Sequence, residues 1–335
     1  MNDTNSDITV FRNLLEERFA VILAGGDGVR MRAMTKRLAG RETPKQFCAV
    51  LGDKTLLKTT EDRIALTISA EKTFYSLTQT HEQFYGASLR NMHRKNKVIQ
   101  PVNRGTAPAI LYSLLRLEKF NPNGSIAFFP SDHYVSDDAA FMNHVETAFE
   151  TVAKSPEAVV LMGIEPHSPK GSYGWIEPCE NPAGESDARI QGVKRFIEKP
   201  TSAEAEELMQ TGCVWNSFVM IGKVKGFLNL YQKHLPALYR LFCIGSITIG
   251  TSAERITMST IYKMIGNSNF SFDVLAHCSE NLRVLRSSGF EWSDLGEPDD
   301  VLSKMIQLGL KKQFVSDGGL KRIAQLVKVT RITQT

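Results

Sequence analysis

The run Phe19-Ala20-Val21-Ile22-Leu23-Ala24 stops in Gly25-Gly26-Asp27-Gly28, and Arg30 follows two residues later. A short segment that is apolar at every position predicts a strand buried on both faces. Such strands belong to parallel sheets, whose crossovers place helices on either side, so the predicted class is α/β. Glycines at the strand's end let backbone N–H groups close on an anion, because no Cβ stands in the way. Between Arg30 and Lys45 lie Arg32, Lys36, Arg37 and Arg41, with Glu42 the only acid. A basic loop after the first strand of an α/β sheet is suited to hold a polyphosphate.

Two common phosphate motifs are excluded. A dinucleotide fingerprint requires a third glycine where Met31 stands, and no Gly-Lys-Ser/Thr string of the P-loop kind occurs. Taken alone, the glycine turn fits an ordinary strand-to-helix connection with solvated basic residues. The Pro44-Lys45-Gln46 string and two downstream acids favour the phosphate reading.

The spacing predicts helices over 55–66, 81–92, 106–120 (with Thr106 as N-cap) and 139–153. They alternate with strands at 73–77, 97–100, 126–129 and 159–163. After residue 165 the pattern changes. Residues 173–177 and 189–197 read as paired strands joined by a polar loop, 180–188. Thr201-x-x-Glu204 is a capping box opening a helix that ends near Gly212. A strand at 214–221 precedes a mostly helical stretch over 226–264, and 299–310 reads as a helix. The architecture expected is a Rossmann-like, mostly parallel sheet flanked by helices, with a smaller mixed α+β insertion forming a second cleft wall. The chain divides into a polar extension (1–18), the α/β domain (19–300) and a helical tail (301–335). The tail lacks hexapeptide periodicity, so no C-terminal β-helix is expected.

Composition narrows the class. Forty basic against 36 acidic residues leave a formal charge of +4, too balanced for bulk nucleic-acid binding. No apolar run approaches the ~20 residues of a membrane span, and the first eighteen residues carry no signal-peptide pattern. Five scattered cysteines with no Cys-x-x-Cys spacing fit reduced thiols and a cytoplasmic location, not a zinc site.

Leu23-Ala24-Gly25-Gly26-x-Gly28-x-Arg30 with Pro44-Lys45-Gln46-Phe47 resembles the signature of the sugar-nucleotide pyrophosphorylases, most of all the mannose-1-phosphate guanylyltransferases. The resemblance continues in ordered blocks to about Asp299. It implies nucleotide contacts at Leu23, Ala24, Gly25, Gly26, Gly28, Arg30 and Lys45, and again at Gly105, Thr106 and Ala107 in the segment Asn103–Ala109. Arg30 and Lys45 are the implied catalytic cations. Asp132, after the strand at 126–129, and Asp294, in Trp292-Ser293-Asp294-Leu295-Gly296, are the implied Mg2+ ligands; His133 is left outside that set. Gly174, Glu198, Lys199 and Asn216 are the implied sugar-phosphate contacts, in a sugar-binding half spanning about 165–290. Each has a plain alternative: a cap for Thr106, a turn or loop acid for Asp132 and Asp294, a bulge for Gly174, a solvated pair for Glu198-Lys199.

The implied reaction joins GTP to mannose 1-phosphate, giving GDP-mannose and pyrophosphate by in-line attack on the α-phosphate. The nucleophile is already anionic near neutral pH, so alignment and charge neutralisation replace a general base. Another base or sugar (UTP, glucose 1-phosphate) and a non-catalytic sugar-nucleotide-binding subunit are the rival readings. Neither nucleic acid nor membrane is an expected partner, and a homodimer is left open. The segment 31–43 departs from the resemblance: it is longer and lacks a proline soon after Arg30.

Overall fold

The computed structural model describes residues 17–179 and 187–310. Strands β1 (Arg18–Leu23), β2 (Thr73–Thr78), β3 (Lys97–Gln100) and β4 (Ser125–Pro130) lie in the order β3-β2-β1-β4, all parallel. Every residue of β2 and β4 is buried, which is why these runs show no polar alternation. Neighbouring residues still take opposite faces. Phe19, Val21, Ile126 and Phe128 enter one core cluster; Ala20, Ile22, Ala127 and Phe129 enter the other.

The longer helices come between and after the strands. They are α1 (Arg32–Ala39), α2 (Leu56–Ile64), α3 (Thr106–Phe120), α4 (Asp138–Lys154), α5 (Ser202–Gln210), α6 (Val224–His234), α7 (Pro236–Ser246), α8 (Glu254–Met264) and α9 (Pro298–Gln307). Residues of α3, α6, α7 and α8 join the first cluster, and residues of α2, α4 and α5 the second. The capping box at Thr201 and Glu204 is formed, and Pro236 and Pro298 stand in the first turns of α7 and α9, where their missing N–H costs nothing.

The remaining strands are β5 (Tyr134–Val135), β6 (Val159–Ile164), β7 (Gly174–Pro178), β8 (Ile190–Glu198), β9 (Val214–Lys223), β10 (Leu282–Ser287) and β11 (Trp292–Ser293). β9 lies antiparallel between β4 and β6, and the nine-stranded sheet runs β3-β2-β1-β4-β9-β6-β10-β8-β7. Only β9 and β8 are reversed within it, so the sheet is mostly parallel by strand direction. The later strands extend this one sheet. β7 folds over to pair with the start of β9, Trp175 opposite Trp215.

The expected helix at 81–92 is a correction. Only Gln79–His81 (3-10) and one α-turn, Glu82–Tyr85, form there. Gly86 sits where the helix would have continued, and glycine is the poorest helix former after proline. The polar loop 180–188 lies almost wholly outside the described residues, as do most of 1–18 and the tail beyond 310. Among the described residues, no helix is long and apolar enough to cross a membrane.

Candidate active site

The carboxyl ends of β1, β4 and β8, the start of β7 and the first half of β9 open onto one cleft with two adjoining halves. The first half, about 340 Å3, is lined by Gly25, Gly26, Gln46, Gln100 and Asp132 among others. The second, about 220 Å3, includes Gly174, Glu198, Asn216 and Asp294. Thr106, His133, Phe218 and Asn269 line both.

In the glycine turn, the carbonyls face the protein. Gln46 Nε2 donates to the carbonyls of Ala24 (3.0 Å) and Gly26 (2.8 Å), Thr78 Oγ1 to Gly25 (2.9 Å), and Ser131 Oγ to Leu23 (2.8 Å). The Ala24 amide is used by the Ser76 carbonyl. Among the described residues, no acceptor pairs with the amides of Gly25 and Gly26, which are thereby left for the cleft. A Cβ on Gly25 would stand 2.8 Å from Gln100 Nε2, and Gly28 takes the left-handed φ of 56° against Lys45. Asp27 is held by His81 Nε2 (3.1 Å) and Asn103 Nδ2 (2.9 Å), which tethers the turn to the β2 and β3 ends.

Lys45 is nearly buried, its side chain 5% exposed. Its ammonium lies 3.1 Å from Asp132 Oδ2 and donates to the carbonyls of Asp294 and Leu295 (2.9 Å for the latter). Two residues 162 positions apart therefore meet at one nitrogen. The device is the small β5–β11 ladder, which pairs Tyr134 with Ser293 directly beyond Asp132-His133 and before Asp294. Burial opposes ionisation of Asp132, but the Lys45 charge, His133 and hydrogen bonding outweigh it and hold the carboxyl below its ordinary range. Burial pushes His133 down to about 4, so the imidazole is neutral; its Nδ1 is buried without a partner.

Asp294 Oδ1 accepts from Tyr173 OH and from the Gly296 amide, both at 2.8 Å. A Cβ at residue 296 would lie 2.5 Å from Asp294 Oδ2, so the glycine keeps that oxygen uncovered. Among the described residues, no three His, Cys, Asp or Glu side chains cluster as a metal cage. Two carboxylates with open coordination are the donor set that suits Mg2+, which takes most of its remaining ligands from phosphates and water. The residues present fit such an ion.

In the second half, Gly174 lies opposite Glu198 in the β7–β8 ladder, and a Cβ there would stand 2.9 Å from Glu198 Oε2. Burial raises the Glu198 carboxyl, partly offset by Lys199 and by Ser271. Asn216 is 8% exposed and accepts from the Phe218 amide at 3.0 Å. Among the described residues, the non-glycine residues with left-handed φ are Lys199, Phe218 and Leu295; Phe218 lines the cleft, and the other two directly follow Glu198 and Asp294, which do. Strained backbone of this kind concentrates at ligand-binding sites.

Several expected contacts sit differently. Gly105, not Thr106, is the N-cap of α3; its φ of 92° brings it against the Ser268 carbonyl, which a side chain would strike. Thr106 Oγ1 instead accepts from the Phe270 amide at 2.8 Å, stapling α3 to the opposite wall. Ala107 is fully buried, with its amide on Ser268 and its carbonyl on Tyr231, so it lies behind the cleft. Arg30 is 56% exposed and paired with Glu297 at the N-cap of α9. Lys199 is exposed and has no ion pair among the described residues. The long segment 31–43 is mostly α1, whose Met34 joins Met31, Leu295, Val301 and Met305 in a small core that fixes it to α9. Lys36 pairs with exposed Glu42 and Arg41 lies over the Phe84 ring, both away from the cleft lining.

Gln46, Gln100, Tyr173, Phe218 and Asn269 are not among the expected site residues. Gln46 carries a signal, as part of the Pro-Lys-Gln string; the others lie in segments whose sequence reads as ordinary strand or loop.

A cleft at a glycine turn, at the carboxyl ends of such strands, defines the class of α/β nucleotide-binding domains. The chain belongs to the nucleotidyl transferase family, whose model matches residues 19–309. It is 27% identical over 285 residues to the alginate biosynthesis protein AlgA of Pseudomonas syringae pv. tomato, covering 82% of this chain and 56% of that protein. It is 30% identical over 235 residues to mannose-1-phosphate guanylyltransferase 2 of Escherichia coli O157:H7, covering 66% and 46%. The chain thus spans about half the length of the curated relatives it matches. A crystal structure described as a mannose-1-phosphate geranyltransferase from Thermus thermophilus superposes with a TM-score of 0.69 at 27% identity, covering 84% of this chain and 76% of that one.

Proposed function

We propose that this chain condenses GTP with mannose 1-phosphate to GDP-mannose and pyrophosphate. The observation that carries the reading is the pairing of two half-clefts across Lys45, Asp132 and Asp294. The free glycine amides suit the nucleotide half, and Glu198 and Asn216 suit sugar hydroxyls in the other. The choice of GTP and mannose 1-phosphate rests on the similarity to the E. coli guanylyltransferase.

The reaction brings two anions together, so repulsion is its main barrier. Lys45 meets the charge developing at the α-phosphate with an ammonium already oriented by three oxygens, which removes reorganisation from the chemical step. Arg30 neutralises the β- and γ-phosphates, exchanging Glu297 for them. Lys199 swings to the sugar phosphate from its exposed position. Asp132 and Asp294 would hold Mg2+, which would supply charge neutralisation at the phosphates. The sugar phosphate attacks as its own anion, and neutral His133 is not needed as a base.

A pyrophosphate-release screen across nucleoside triphosphates and sugar 1-phosphates, with and without Mg2+, tests this. Turnover confined to GTP with mannose 1-phosphate and dependent on Mg2+ is expected. Turnover only with another pair replaces the substrates, and silence with every pair refutes catalysis.

A further inference from the structure

A second cavity, about 190 Å3, shares no lining residue with the cleft. One stripe of α3 connects the two, with Thr106 and Ala109 in the cleft and Tyr112 and Arg116 here. Four cations converge on it: Arg94, Lys97, Arg116 and Arg255. The acids that line it are Glu82, which is exposed, and Glu254, which is buried. Glu254 is already engaged by Arg116, by Tyr112 OH and by the Gly250 amide. Arg94, Lys97 and Arg255 have neither an ion pair nor a side-chain hydrogen bond among the described residues.

Exposed arginines alone are ordinary solvated surface. Two buried atoms here are not. The Arg116 side chain is 5% exposed, and its Nε–H has no partner; the Tyr85 hydroxyl, also on this cavity, is buried without one. Buried unpaired donors are rare in native proteins, and a pair of them on one cavity wall beside three unpaired cations is a donor pattern that suits an anion. Guanidinium groups favour phosphate over other anions, because their forked donors match its oxygens. Ile99 and Met258 offer an apolar side for the rest of such a molecule.

We propose that this cavity binds a small phosphate-bearing anion at a site separate from the nucleotide–sugar cleft, with Arg94, Lys97, Arg116 and Arg255 as its donors. The inference does not depend on which reaction the cleft performs.

Isothermal titration with inorganic phosphate tests it on the full chain, on Arg94→Ala/Arg255→Ala and on Arg30→Ala. All three positions are exposed, and matching thermal transitions confirm that each variant is folded. Loss of affinity on the order of tenfold or more in the double variant, with little change in Arg30→Ala, is the expected result. Equal affinity in the double variant, weakening in Arg30→Ala alone, or no phosphate-dependent heat with the unaltered chain overturns the proposal.

Discussion

Replacing Lys45 by Met keeps the length of the side chain and removes its charge. The ammonium touches one carboxylate and two backbone carbonyls, so the substitution has a stability cost and a separate rate cost. Asp132 is 31% exposed on its side chain and regains water. Leu295 is fully buried, and its carbonyl loses a charged donor that water cannot replace. An unsatisfied buried acceptor costs about 1–3 kcal/mol, and a lost charge-assisted bond a similar amount, so about 3 kcal/mol is expected in all. For a domain of this size that lowers Tm by about 5 °C. The rate cost is that of one preorganised donor at the reacting phosphorus, about 3 kcal/mol or roughly a hundredfold in kcat. The two are read separately, by denaturant titration and by pyrophosphate release well below the new Tm. A third readout is pH. Asp132 has a lowered pKa when folded, so its stabilisation is complete above its ordinary value of 3.8 and disappears as pH falls through the lowered folded value. In Lys45→Met, burial of the Asp132 carboxyl is left without its main opponent, so this acid-side loss of stability vanishes. A folded variant that retains turnover within a few-fold of the unaltered chain refutes the role given to Lys45.

Asp294→Asn retains an acceptor for Tyr173 and the Gly296 amide, so folding should persist while the Mg2+ concentration needed for half-maximal rate rises by roughly tenfold or more; a metal titration of turnover checks this. Gly105→Ala forces a side chain onto the Ser268 carbonyl at a positive φ, and a destabilisation of about 3 kcal/mol or more should appear in urea unfolding. Thr201→Ala removes the capping box of α5, lowering stability by about 1 kcal/mol in the same assay without altering turnover. Glu297→Gln breaks an ion pair whose partners are both largely exposed; stability should stay within about 0.5 kcal/mol, while the KM for the nucleotide falls because Arg30 is released.

The parallel half of the sheet was legible because its strands are apolar throughout and its helices are amphipathic, so period and length agree. The place of β9 was not. A run such as Val214–Ile221 announces a buried strand but not its neighbours, and insertion between β4 and β6 is decided by long-range packing. Of the residues that line the cleft or touch its lining, Gly25, Gly26, Lys45, Asp132, Gly174 and Glu198 are conspicuous in the sequence as glycines and charges at strand ends. What brings Asp294 to Lys45 is a ladder of two residues per strand, too short to leave a periodic signal. The place of Ala107 is illegible for a related reason: an alanine next to a helix start looks the same whether its amide faces a ligand or, as here, the Ser268 carbonyl.

The central position of β9 has a consequence for biosynthesis. As the polypeptide leaves the ribosome, β4 and β6 emerge well before residue 214, each with an edge of unpaired backbone N–H and C=O groups that β9 covers in the finished sheet. β10, which fills the gap between β6 and β8, arrives later still, after residue 281. Nascent chains of this protein therefore carry raw strand borders until β9 and β10 are made, and premature termination before β9 should yield aggregates and not a smaller soluble unit.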